Sequence, residues 1–324
     1  MKKILVVSFM ILLASCQKHE VSFHTPGSSG VTVAGGNGFG SSSNQFEQPV
    51  GVFVDNNGNI FVADSYNHRI QKWTPNATSG TTVAGGNGNG SAANQLSYPV
   101  SVFVDNESNI YICDYGNNRI QKWSKNATSG VTLAEGNGGS AFALLLGSQG
   151  IFVDKTGNIF IADYGNYRVQ KWTPGATTGI TVAGGNGQGS NANQFYSVQG
   201  FTLDANGNIY VLDAGANGGG RVQKWSPGAS EGITVIENNG AGSDLKTLGT
   251  PVAIYLDAKN GIYITDTNNS RIVKWSIGAT SGVIVAGGTP GNGSNQLLFP
   301  SGLFIDGQGY IYISDRANNR IQRW

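Results

Sequence analysis

The stretch GVFVDNNGNIFVADSYNHRIQKW, residues 51–73, decides the fold. It opens with two short runs of β-branched and aromatic residues, Val52 to Val54 and Ile60 to Val62. Between them lies DNNGN (55–59), whose glycine and asparagines tolerate the left-handed backbone that a tight hairpin requires. A third run, Arg69 to Trp73, and a fourth, Thr81 to Gly85, complete a unit of four strands. The unit recurs: tryptophans stand at 73, 123, 172, 225, 275 and 324, separated by 50, 49, 53, 50 and 49 residues. Such a period marks a repeat architecture, in which each unit buries its apolar face only against its neighbours. The first two strands of each unit are apolar on both faces, so they lie between two other sheets, as radially arranged blades do.

Six units predict an all-β, six-bladed β-propeller of four-stranded antiparallel blades over residues 31–324. The last unit stops at Trp324 without a fourth strand, while an unclaimed VTVAGG (31–36) precedes the first complete unit. Pairing that segment with Arg320 to Trp324 closes the ring; an open solenoid would leave two unpaired edges. The phrase PVGVFVDNNGNIFVADSYNHRIQKW resembles the NHL repeat, through six copies in which Asp, Gly-Asn, Asp, Arg and Trp recur at nearly fixed spacing. The resemblance implies a propeller. NHL-like lyases carry several metal-binding histidines, and the histidines here are His19, His24 and His68, of which only His68 lies in the repeats. No metal or other cofactor is expected.

The chain begins MKKILVVSFMILLASCQKHE, with Lys2 and Lys3 ahead of an apolar run from Ile4 to Leu13. That run is short for a membrane span and ends in small residues, as an export signal does. Leu-Ala-Ser-Cys (13–16) resembles a bacterial lipobox, which implies a signal peptide over 1–15, lipidation of Cys16 and a tether over 16–30. An ordinary signal peptide with an incidental cysteine is the alternative. Gln17 stands where an inner-membrane retention signal would usually place Asp, so an outer-membrane lipoprotein of the cell envelope is favoured, held to the membrane through its N-terminal lipid. Loss of Lys2 and Lys3 takes the formal charge from +1 to −1, without the basic excess that nucleic acid requires. Cys113 then lacks a disulfide partner and reads as an inert buried thiol.

Twelve of the thirteen aspartates form two series. One is Asp55, Asp105, Asp154, Asp204, Asp257 and Asp306; the other is Asp64, Asp114, Asp163, Asp213, Asp266 and Asp315. Arg69, Arg119, Arg168, Arg221, Arg271 and Arg320 form a third. The spacing sets the second Asp and the Arg at the mouth of the hairpin between strands two and three, where a bidentate pair would fix the turn. Sixfold recurrence favours structure over catalysis. The DxxGN turns lack the carboxylate series of an EF-hand and read as hairpins. Glu135 and Glu237 replace glycines of the repeat, but they belong to outer strands of different blades, too far apart for a glycosidase pair.

In an up-and-down blade the hairpin between strands two and three shares a face with the connection to the next blade. The connections, such as GNGNGSAANQLSYP (86–99), are rich in Asn, Gln, Ser and Gly. The adjoining hairpins contribute Tyr66, Asn67, His68, Tyr115, Asn117, Tyr164, Tyr167 and Arg316 as candidate ligand contacts. Tyrosines beside neutral amides suit a glycan, peptide or protein surface, because rings supply area and amides supply direction. The competing reading gives the connections a folding role, with Phe46, Leu96, Phe195 and Leu298 plugging the gaps between blades. Two units break the pattern, at EGNGGSAFALLLGSQ (135–149) and AGANGGG (214–220); the apolar run Ala141 to Leu146 is expected to fold over the rim rather than stand exposed. The expectation is a monomeric, non-catalytic binding or scaffold module outside the cytoplasm. The alternative is a propeller enzyme, a lyase or lactone hydrolase, with a site at the central channel.

Overall fold

The computed structural model describes residues 29–135, 150–215, 220–238 and 240–324. The leader, Cys16 and most of the tether, the run Ala141 to Leu146, and residues 216–219 of the blade 4 insertion lie outside the described residues.

Six four-stranded antiparallel sheets follow one another around a ring. Blade 1 comprises Pro49–Val54, Ile60–Asp64, Arg69–Trp73 and Thr81–Gly85. Blades 2 to 5 repeat that order over 99–135, 151–184, 198–238 and 251–287. Blade 6 takes three strands from the C-terminal end and its outermost strand, Val31–Gly35, from the N-terminal segment. Val31 faces Arg323 and Gly35 faces Arg320, so the ring is closed by the pairing that the incomplete last unit predicts.

Second strands such as Ile60–Asp64 and Ile110–Asp114 are buried at every position, as strands between two neighbouring sheets must be. The core clusters span neighbouring blades: Phe61, Ala63 and Ile70 of blade 1 pack with Val102, Ile112 and Trp123 of blade 2. The tryptophans are buried there, and truncating one costs on the order of 3–5 kcal/mol. Cys113 is fully buried in this setting, and burial pushes its thiol well above the ordinary cysteine range.

Two faces result. On the turn face, Asp55 caps its own hairpin: one carboxylate oxygen accepts the N–H groups of Asn57 and Asn59, and the other accepts the Asn59 amide at 2.7 Å. Asp105, Asp154 and Asp204 repeat the arrangement. Along the axis the innermost strands carry Gly51, Ser101, Gly150, Gly200, Ala253 and Gly302, all buried. A Cβ on Gly51 would stand 2.8 Å from the Val100 carbonyl of the next blade, so glycine is needed for this approach. Neighbouring innermost strands therefore lie close together at that level. The turn-face mouth is ringed by aromatics, with Phe53 4.9 Å from Phe304 and 5.0 Å from Phe103 between ring centroids.

Candidate functional site on the loop face

The opposite face is built on the second aspartate series. Asp64 and Arg69 are register partners at the end of their hairpin, as are the equivalent pairs in the other five blades. Asp64 Oδ2 accepts Arg69 Nε at 2.7 Å and the Asn67 amide at 2.9 Å, while Oδ1 accepts the Glu47 N–H at 2.7 Å. The Arg69 Nη2 amine donates to the carbonyls of Ser42 and Gln45 at 3.0 and 3.1 Å. The expected bidentate pair is thus corrected: one guanidinium nitrogen meets the carboxylate, and the rest of the fork binds the incoming connection. The same division holds for Arg119, Arg221, Arg271 and Arg320. Arg168 contacts Asp163 through Nε at 2.7 Å. The pair staples one blade to the connection that precedes its own first strand. Burial pushes the Asp64, Asp163 and Asp213 carboxyls above the ordinary aspartate value, against the opposing pull of these hydrogen bonds.

This staple also consumes two of the candidate contacts. Asn67 and Asn117 each donate to their aspartate and to a connection carbonyl, Gly40 and Gly90 respectively, so their amides hold the loop. The connections use up their own amides as well. Asn37 donates to the Asn44 carbonyl and Gln45 to the Asn37 carbonyl, and the segment lies along Arg69 and Gly80 between the blades. Phe46, Leu96 and Phe195 are the plugs, at 0% exposure, but the last is Leu297 at 0%, not Leu298. The register follows the Asn-Gln pair (295–296), which places Leu298 at the half-buried position of Glu47.

The residues that vary between blades stand around the rim. In five blades an N–H of the hairpin loop bonds a carbonyl at the end of the connection, as Tyr66 does with Glu47 at 3.2 Å and Ala214 with Ser197 at 2.9 Å. That bond sets hairpin and connection side by side. At the junction of blades 1 and 2, the Tyr98 ring lies edge-on to His68 at 4.6 Å and to Tyr66 at 5.3 Å. The Tyr98 N–H donates to His68 Nδ1 at 3.1 Å, which places the ring proton on Nε2. Partial burial lowers the His68 pKa, against the favourable charges of Glu47 and Asp114. At the junction of blades 3 and 4, Tyr164, Tyr167, Tyr196, Gln188 and Gln199 line a hollow of about 210 Å³. Tyr115 is drawn partly into the core of blade 2, and Arg316 donates to Gln48 Oε1 at 2.6 Å across the blade 6 to blade 1 seam.

Tyr98 and Phe299 are rim residues that the hairpin reading missed. Both precede proline, are exposed (37% and 51%) and hold left-handed backbone, φ 46 and 47, as does Gln48 at φ 55. A bulky residue in that conformation is strained. The signal in the sequence was an aromatic before the proline that opens a blade. Glu135 and Glu237 are exposed on the outer strands of blades 2 and 4, opposite Arg119 and Arg221. Among the described residues no three His, Cys, Asp or Glu side chains are grouped to hold a metal ion.

Residues 46–73 match the NHL repeat, and the other blades carry the same Asp, Arg and Trp framework. No curated protein matches the chain. Among solved structures, a protein of unknown function from Bacteroides thetaiotaomicron is 14% identical with a TM-score of 0.69, over 91% of this chain and 75% of that one. An auxiliary nutrient binding protein from the same organism is 13% identical with a TM-score of 0.65, over 91% and 75%. A streptogramin B lyase is 14% identical with a TM-score of 0.58, over 87% and 94%. At these identities the likeness is one of fold.

Proposed function

We propose that this propeller, which carries the NHL repeat, is a non-catalytic binding module whose loop face holds an uncharged polar ligand, a glycan. The observation that carries the reading is the division of labour on that face. The repeated charges are spent on the staples, and the rim between blades 3 and 4 offers three tyrosines and two glutamines around one hollow. Rings stack on sugar faces and amides bond hydroxyls, without a charge to select an ionic ligand. The likeness to an auxiliary nutrient binding protein supports it. The domain is exported and anchored by lipid on Cys16 to the bacterial cell envelope, on the outer membrane. Palmitate labelling that persists in Cys16→Ala would refute the anchor.

The binding reading is tested by titrating oligosaccharides into the domain by calorimetry. Saturable binding that weakens at least tenfold in Tyr164→Ala is expected, and binding indifferent to that change contradicts it. A lyase-type activity is the second reading, favoured by the streptogramin B lyase neighbour. It would draw on His68, whose Nδ1 is already bonded to the Tyr98 N–H. Turnover abolished by His68→Ala would favour the enzyme, and binding without turnover the module.

A further inference from the structure

His68 and Asn319 occupy the same place in blades 1 and 6. Each follows the short helical turn of its hairpin in left-handed backbone, φ 53 and φ 51. Each accepts the N–H of the residue that leads into the next blade. His68 Nδ1 takes that of Tyr98 at 3.1 Å, and Asn319 Oδ1 takes that of Gln48 at 3.0 Å. One staple is thus made in two chemistries. An amide oxygen accepts at every pH, whereas a protonated imidazole has two donors and no acceptor. On protonation, His68 would set N–H against N–H where it now receives a bond.

We propose that His68 is a positioning residue for the loop-face cluster, its neutral imidazole holding Tyr98 against Tyr66 and its protonation by solvent at Nδ1 releasing Tyr98. Among the described residues, the charged and titratable groups around it are few. Glu47 approaches from the connection into blade 1 and Asp114 from blade 2, both favouring the charged ring. Asp114 is itself paired with Arg119, Arg69 is turned to Asp64, and the phenols of Tyr66 and Tyr98 complete the set. Partial burial outweighs the two carboxylates, so the ring titrates below its ordinary 6.5. The staple is intact above that value and is lost as the pH falls through the folded-state pKa. Blade 1 to blade 2 is the acid-sensitive seam, and blade 6 to blade 1 is its insensitive twin.

Weaker glycan binding once Tyr98 is released rests on the loop-face reading; the staple itself does not. The domain is labelled with ¹⁵N-tyrosine and ¹⁵N-glutamine and followed by NMR from about pH 8 to about pH 5, with the His68 ring as reference. The Tyr98 amide is expected to shift with the midpoint of the His68 ring while the Gln48 amide stays still. His68→Asn, which rebuilds the Asn319 staple, should hold the Tyr98 amide in its neutral-pH position throughout, and His68→Ala should leave it in the acid position. A Tyr98 amide that stays fixed while His68 titrates overturns the proposal. So does a joint shift of Tyr98 and Gln48, or a His68→Asn protein that titrates like the parent. Amides that behave as expected while oligosaccharide affinity is the same at both pH values would refute the link to ligand release and leave the staple standing.

Discussion

The two faces of the ring put the same residue type to different uses. On the turn face, Asp55 and its five equivalents accept hydrogen bonds from their own hairpins, and the arrangement changes little from blade to blade. On the loop face, Asp64, Asp114, Asp213, Asp266 and Asp315 reach outside their hairpins to tie down the connection from the preceding blade. Outside those staples the loop-face rim differs between seams among the described residues: Tyr66, His68 and Tyr98 at one, Tyr164, Tyr167 and Tyr196 at another, Arg316 and Gln48 at a third. Sixfold sameness is what folding requires. Variation that keeps tyrosines and amides is what a ligand would require, and the loop-face rim shows it at these seams, although the turn face holds a larger hollow of about 1280 Å³ lined by Phe53, Phe103, Tyr111 and Phe304.

The comparison predicts effects of graded size. Breaking a loop-face staple should cost the most. Asp266→Ala leaves Arg271, only 4% exposed, without its carboxylate, and a loss of about 3–5 kcal/mol is expected in urea denaturation. Rim substitutions should instead separate binding from stability: Tyr98→Ala should weaken oligosaccharide binding at least tenfold, about 1.4 kcal/mol, with a much smaller change in unfolding midpoint.

Turn-face aspartates should matter less and in a pH-dependent way. Burial works against ionisation of Asp154, Asp204 and Asp257, but the hydrogen bonds of their turns, joined by Lys274 at Asp257, outweigh it and hold them below the ordinary 3.8. The native state then binds fewer protons than the unfolded chain near that pH, so this contribution is full above it and is lost as pH falls through the folded-state value. Asp64, Asp163 and Asp213 act in the opposite sense, binding more protons when folded just above 3.8 and giving up stability as pH rises through that window. Asp204→Asn should therefore cost about 1 kcal/mol at neutral pH and flatten the fall in stability below about pH 4, read from urea midpoints. The smallest effect should be a gain. Phe299→Asn relieves a strained left-handed residue with an exposed side chain and should stabilise by up to about 1 kcal/mol.

Periodicity made the blade count, the strand limits and the closure by 31–36 legible, because each rests on local patterns that repeat six times. The staples were half legible. The recurrence of Asp and Arg placed them together, but where the guanidinium fork points depends on the connection lying between the blades, which no local pattern states. The plug at Leu297 was misplaced by one residue because two leucines stand together and only the Asn-Gln spacing distinguishes them. Asn67 and Asn117 looked free because their partners, Gly40 and Gly90, are carbonyls 27 residues away. Tyr98 was hidden for the opposite reason: it joins Tyr66 and His68 only through the seam between two blades.

The central claim, that the loop face is the binding face, is tested most directly by mapping bound oligosaccharide onto the domain by amide NMR. Shifts confined to the rim around Tyr98, Tyr164 and Tyr196, with the turn-face amides of 55–59 and 204–208 unmoved, are predicted. Shifts centred on the turn face around Phe53 and Phe304 would contradict it.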